Sequence, residues 1–373
     1  MMGKKLLFVN VSKNTHIFVH QTAEAERFGH TVYNLTDVLK PTHRTLKHIE
    51  HVPAPHTRER YIEKIKSMYK RLEIDYICTQ CEVLYPILDD LCREGYSVLP
   101  KVGRDIDEIT NKEYFSYYAR RIGLPAPDDF IPTDLESLLN LGFDKPIFVK
   151  PTNGTDGTIK MHLTADKYSY FDYCRFDSMK AFIDNLDKSN YVDRFIKTQN
   201  EGMGLPSGKG VDGILGKHII QECIASQYYF SLNVLVADNN IKFTLILKTQ
   251  NDHDMEIYYL DKEQTEVLKF EKDDNNHAKA RDFLGKDVYE SFMTQITKLV
   301  QDAKIELAAI HVAFVEFRPK RWCLQDVHFR QSGLLPRIVR VPHIEKDYDP
   351  LSNPYYDISY LRDVYYDSIW EYV

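Results

Sequence analysis

Four residues late in the chain have the types and spacing to handle anions. Asp326, His328 and Arg330 alternate in Asp-Val-His-Phe-Arg, so on an extended strand they share one face. Glu316 precedes them, ahead of the polar turn Arg318-Pro319-Lys320-Arg321. The apolar runs Val312 to Phe317 and Trp322 to His328 flank that turn and read as a hairpin. On this reading Glu316 and Asp326 stand close together across it. Two acids, an imidazole and a guanidinium suit a metal ion plus phosphates, because buried charges need partners. The rival reading is a solvated face with surface ion pairs.

A second group of residues could handle a nucleotide. Pro146 to Pro151 is a short strand that carries Lys150 near its end, and Thr152-Asn153-Gly154-Thr155-Asp156-Gly157-Thr158 follows. Glycines let backbone N–H groups approach phosphate oxygens, and threonine hydroxyls add donors. A plain hairpin tip would have the same composition. Lys112 lies at the start of a helix that Thr110 or Asn111 can cap, with Glu113 in its first turn and Gly123 at its end. Lys248 ends a strand and can face phosphates or substrate. Other motifs fail their context. Gly208 to Gly213 matches G-x-G-x-x-G but sits in the polar loop 199–217, not between a strand and a helix. Cys78-Thr79-Gln80-Cys81 has no second cysteine pair to complete a zinc site. Gln80 and Glu82 nevertheless lie at a strand-to-helix junction, where parallel sheets bind ligands.

The elements that must position these residues follow from the hydrophobic pattern. Strands at Lys5–Val11, Thr31–Leu35 and Asp75–Thr79 alternate with helices at Thr15–Phe28, Arg58–Leu72 and Val83–Arg93, which implies a parallel sheet covered by helices. Residues 40–56 read as a solvated loop and 251–276 as an exposed charged stretch. His218–Ile224, Phe230–Ala237 and Ile241–Lys248 read as strands. Asp287–Ala309 reads as an amphipathic helix, and Tyr360–Val373 has helical spacing suited to packing. The chain has 373 residues, 43% of them hydrophobic, and a net charge of 48 minus 55, or −7. That length calls for two or three domains, and that charge argues against a general nucleic-acid binder. No apolar run approaches the roughly 20 residues needed to span a bilayer. The six cysteines lack framework spacing, which points to reduced thiols and a cytoplasmic location.

In this order the motifs resemble the ATP-grasp ligases over roughly residues 75–340. In that family an acid on one strand precedes Glu-x-Asn-x-Arg on the next. Here Glu316 precedes Asp326-Val327-His328-Phe329-Arg330, with Asp in place of Glu and His in place of Asn. Gln331 to Pro336 is similar to the segment that follows in amino-acid-joining members. The resemblance implies a fold of mixed α/β and α+β domains: a Rossmann-like parallel-sheet domain (1–105), two ATP-grasp subdomains (106–225 and 226–340) and a tyrosine-rich extension (341–373). It also implies the following roles. ATP is held by Lys112, Lys150, the lid residues Asn153, Gly154, Thr155, Gly157 and Thr158, the hinge residues Gln221, Glu222 and Ile224, and Lys248. Mg²⁺ or Mn²⁺ is held by Glu316, Asp326 and His328, the imidazole favouring Mn²⁺. Arg330 and Lys150 stabilise charge in catalysis. The implied reaction joins a carboxylate to an amine through an acyl phosphate. Alternatives are a thiol or bicarbonate substrate, or a nucleotide-binding protein with a degenerate site. Dimers are common in the family.

Overall fold

The computed structural model describes residues 3–10, 15–37, 46–53, 57–131, 147–151, 175–176, 218–222, 228–250, 265–330 and 366–373, with isolated positions left out within or added between these stretches. The chain opens with β1 (Lys5–Asn10), α1 (Thr15–Arg27), β2 (Thr31–Thr36), β3 (Ile49–His51), α2 (Arg58–Leu72), β4 (Tyr76–Thr79), α3 (Tyr85–Arg93) and β5 (Val98–Leu99). These strands form a parallel sheet in the order β3-β2-β1-β4-β5. The alternation of strand and helix signals foretold β1, β2 and β4 of it; β3 lies inside the stretch read as a loop, and β5 was not read as a strand.

β6 (Lys101–Val102) leads into α4 (Ile106–Thr110) and α5 (Lys112–Arg121). The helix expected after Thr110 or Asn111 forms as α5, directly after Asn111, whose backbone is extended; α4 before it was not read from the sequence. Gly123 closes α5 with a positive φ of 69°, a conformation that costs glycine little. Next, β7 (Asp129–Phe130), β8 (Ile147–Pro151), β9 (Arg175–Phe176) and β10 (His218–Glu222) form a small antiparallel sheet in the order β7-β10-β8-β9.

The largest sheet holds β11 (Tyr228–Ala237), β12 (Asn240–Gln250), β13 (Thr265–Lys269), β14 (Ile305–Arg318) and β15 (Arg321–His328), with β6 paired to β14. Two helices, α6 (Asn276–Leu284) and α7 (Lys286–Asp302), precede β14. Three expectations are corrected here. The helix read over Asp287–Ala309 stops at Asp302, because residues from Ile305 onward pair with β11 and β6. Thr265–Lys269 is an edge strand inside the charged stretch. Among the described residues of the C-terminal stretch, Ile369–Glu371 forms only a 3₁₀ turn.

Two apolar layers hold the strands. One face of the large sheet is covered by α7, where the rings of Phe292 and Phe314 stack 4.0 Å apart and Trp322 packs edge-on to Phe292. Phe292 and Phe314, both fully buried, each contribute about 1.5–3 kcal/mol. The opposite face packs on the parallel sheet: Leu235, Ala237 and Leu307 meet a layer containing Leu6, Phe8, Val32 and Cys78. Residues 366–373 seal the edge of this layer. Trp370 lies 5.2 Å from Phe8 by ring centroids and donates its indole N–H to Gln21 at 3.1 Å. Tyr366 and Ser368 donate to Glu24 of α1 at 2.9 and 2.6 Å. Asp367 pairs with Lys242 of the large sheet at 3.2 Å, so the segment bridges both sheets. No helix among the described residues is long and apolar enough to cross a membrane.

Candidate active site

The two sheets meet chemically at the carboxyl edge of the parallel sheet. Beyond β4 the chain makes a 3₁₀ turn over Glu82–Leu84 before α3 begins. Its first residue, Glu82, reaches the end of β15. Glu82 Oε1 accepts from Arg330 Nε at 2.7 Å and lies 3.0 Å from His328 Nδ1. The other ring nitrogen, Nε2, lies 3.2 Å from Asp326 Oδ2. The ring thus sits between two carboxylates, and its side chain is only 3% exposed.

Burial works against ionised groups here, but the charges win. Desolvation pushes His328 down, and the carboxylates of Asp326 and Glu82 pull it up to about 10. Burial likewise pushes Glu82 up, yet the charges of His328 and Arg330 hold its carboxyl far below the usual range. His328 is therefore charged and Glu82 ionised at neutral pH.

Behind it lies a neutral histidine. His311 stands opposite His328 in the β14–β15 register, and the rings stack 5.6 Å apart at 13°. Burial and then the His328 charge push His311 down to about 3. Its Nε2 is 2.7 Å from Ser231 Oγ of β11. Neither Glu82 nor the Ser231–His311 pair was assigned a role from sequence. The only signal for Glu82 was its place at a strand-to-helix junction.

The hairpin forms as read, and Asp326, His328 and Arg330 do converge. Glu316 does not join them. Asp326 pairs with Ala313, and Glu316 pairs with Trp322 three residues further along, because the ladder shifts at Ala313/Phe314. Strand alternation turns Glu316 to the face that carries Phe314 and Trp322. Lys248 is on that face too, opposite Phe230. It pairs with Glu266 at 2.7 Å and lies 5.2 Å from the Tyr228 ring centroid. The expected ligands are thus split between two faces of one sheet.

Lys112 opens α5. Lys150 lies in β8 opposite Ile219 of β10, and the backbones of Gln221 and Glu222 continue the same ladder. Gln221 is buried. Asn153, Gly154, Thr155, Gly157, Thr158 and Ile224 lie outside the described residues, as does the side chain of Lys150.

A divalent cation of the kind the resemblance implies needs acids that converge on one point. Among the described residues no three His, Cys, Asp or Glu side chains do so. Glu316 faces away from Asp326, and the two His328 nitrogens lie 3.0 and 3.2 Å from the Glu82 and Asp326 carboxylates. The described side chains do not fit the cation.

No protein-family model matches the sequence, and no curated protein matches it. Solved structures do. An L-amino acid ligase from Bacillus licheniformis superposes with a TM-score of 0.57 at 16% identity, covering 89% of this chain and 68% of the other. The carboxyaminoimidazole ribonucleotide synthase of Aspergillus clavatus, complexed with ATP, gives 0.57 at 12% identity, covering 89% and 71%. The biotin carboxylase domain of the Hydrogenobacter thermophilus 2-oxoglutarate carboxylase, complexed with ADP, magnesium and bicarbonate, gives 0.58 at 14%, covering 90% and 66%. At such identities the likeness speaks for architecture. A parallel sheet, a small antiparallel sheet and a large antiparallel sheet, arranged as in these three enzymes, give the chain the ATP-grasp fold.

Proposed function

We propose that the chain is an ATP-dependent ligase that joins a carboxylate to an amine through an acyl phosphate, releasing ADP and phosphate. One observation carries the reading: a buried cationic pair, His328 and Arg330, is fixed by Glu82 where the first sheet meets the large one. A fixed positive charge in a water-poor site stabilises the oxyanion that forms as an amine attacks an acyl phosphate. It does so without reorganisation, because Glu82 and Asp326 hold the two side chains in place before substrate arrives.

On this reading ATP lies against Lys150 and the β8–β10 ladder, under the segment 152–158. Lys112 approaches its phosphates. Mg²⁺ or Mn²⁺ would accompany the nucleotide and neutralise its phosphates. Arg330 orients the acyl phosphate, and His328 adds charge beside it. The chain divides after residues 105, 225 and 340, with the first and third parts contributing the two sides of the site. A second reading, an enzyme that uses bicarbonate, is favoured by the bicarbonate in the complex of the Hydrogenobacter structure.

The test is ADP release with ATP and Mg²⁺ or Mn²⁺ across amino acids and small acids, supplied singly and in pairs, with and without bicarbonate. Stimulation that needs a carboxylate and an amine together is the expected result. Stimulation by bicarbonate plus one amine would favour the second reading. ATP binding with no stimulation by any combination would overturn both.

A further inference from the structure

Asn10 ends β1 with its carbonyl occupied. It pairs in register with Thr36, and its carbonyl accepts from the Tyr61 hydroxyl at 2.8 Å. Its side chain is the reverse. It is 1% exposed, and neither Oδ1 nor Nδ2 has a hydrogen-bond partner. Such an amide is costly to bury, and native proteins rarely keep one without a use.

The same sheet shows that it can satisfy an amide. Asn34, in the neighbouring strand, accepts from Thr22 at 3.0 Å and donates to the His48 carbonyl at 3.2 Å. The difference is position. Asn34 lies within its strand, whereas Asn10 lies at the carboxyl edge, where open α/β sheets bind their ligands.

Asn10 is not alone there. β1 and β4 run in parallel register up to Val9 beside Thr79, and Asn10 and Gln80 are the next residues of the two segments. The Gln80 carbonyl oxygen, Oε1, is also buried and without a partner. Two residues later comes Glu82, which holds Arg330 and His328.

The three unmet atoms are one amide N–H₂ and two carbonyl oxygens. A carboxylate would meet the donor and be repelled by both oxygens. An ammonium would meet the oxygens and leave the donor empty. A primary carboxamide meets all three. It pairs with Asn10 by two antiparallel hydrogen bonds, and its second N–H is left for Gln80. We propose that Asn10 and Gln80 form a subsite for the carboxamide group of a substrate whose reacting end lies at the Glu82–Arg330 cluster. The placement of the reacting end rests on the ligase reading above; the subsite itself does not.

The test is calorimetric binding to the full chain, without nucleotide, of matched pairs: L-asparagine against L-aspartate, L-glutamine against L-glutamate, and propionamide against propionate. The expected result is at least tenfold tighter binding of the amide in one or more pairs. Asn10→Leu should abolish that preference and raise Tm, because it removes the unmet groups. Gln80→Met, at a half-buried position, should weaken the preference and serves if the first variant does not fold. No difference within any pair, or a preference that survives both substitutions, would overturn the proposal. The two readings fail separately. Carboxamide preference without ADP release would leave the subsite standing and sink the ligase, and ADP release without the preference would do the opposite.

Discussion

Two glutamates, both withdrawn from water, show how much of a site lies in the neighbours. Glu24 of α1 has a fully enclosed side chain. Tyr366, Ser368 and Gln21 donate to it, His20 lies 3.5 Å away, and the Arg27 charge acts on it from farther off. Desolvation outweighs these interactions and pushes its carboxyl up to about 7. Glu82 is nearly as enclosed, at 12% exposed, but its partners are cations and its carboxyl is held far down. Neutral donors make a buried acid that still responds to pH. Cations make one that does not, and that in turn fixes the charges opposite it. The first arrangement suits a structural join and the second a reaction centre.

The largest effect expected from breaking this contrast comes at Glu82. Glu82→Gln leaves His328 and Arg330 partly unpaired in a dry site, a loss of about 3–5 kcal/mol for a buried ion pair. ADP release should fall by at least about 100-fold, the scale for disturbing a preorganised charge. A variant with a lowered Tm and undiminished turnover would show that the cluster is only structural.

Glu24 gives the next effect. Its carboxyl titrates higher when folded, so between pH 4.5 and about 7 the native state holds a proton that the unfolded state has released. The contribution of Glu24 to stability is therefore fully present below pH 4.5 and is lost as pH rises towards 7, by roughly 3 kcal/mol in all. Denaturant midpoints across that range should show this slope in the wild type and a flatter one in Glu24→Gln. Equal slopes would mean that the acid is already ionised in the native state.

Smaller changes sharpen the comparison. Ser231→Ala removes the hydroxyl 2.7 Å from His311 and should cost about 1 kcal/mol, read by chemical denaturation. Lys248→Ala breaks a pair whose partner, Glu266, is 62% exposed. It should change stability by less than about 1 kcal/mol. A large loss of ATP affinity in Lys248→Ala would show that its face of the sheet meets the nucleotide.

The alternation of apolar strands and amphipathic helices made the first sheet readable, and the period-two spacing of Asp326, His328 and Arg330 made their shared face readable. What escaped has physical causes. The misplacement of Glu316 comes from one ladder shift, invisible to a pattern that assumes regular pairing. Ile305 to Ala309 consists largely of helix formers, and sheet pairing overrode that preference. β13 is a charged edge strand with few apolar residues. Glu82 acts through partners up to 248 positions away, and no local window contains such a contact.

The join at Glu24 has a consequence for how the molecule is assembled. Tyr366 and Glu24 are 342 residues apart. Closing a loop of that length in an unstructured chain carries an entropic cost on the order of 5 kcal/mol. The intervening sheets must therefore form first, and the segment 366–373 docks last on a surface already built. The same order runs backwards on opening. Amides in this segment should exchange with solvent well before those of β11 and β14, so hydrogen-exchange mass spectrometry would find the molecule's earliest fluctuation at the place where its first helix meets its last turn.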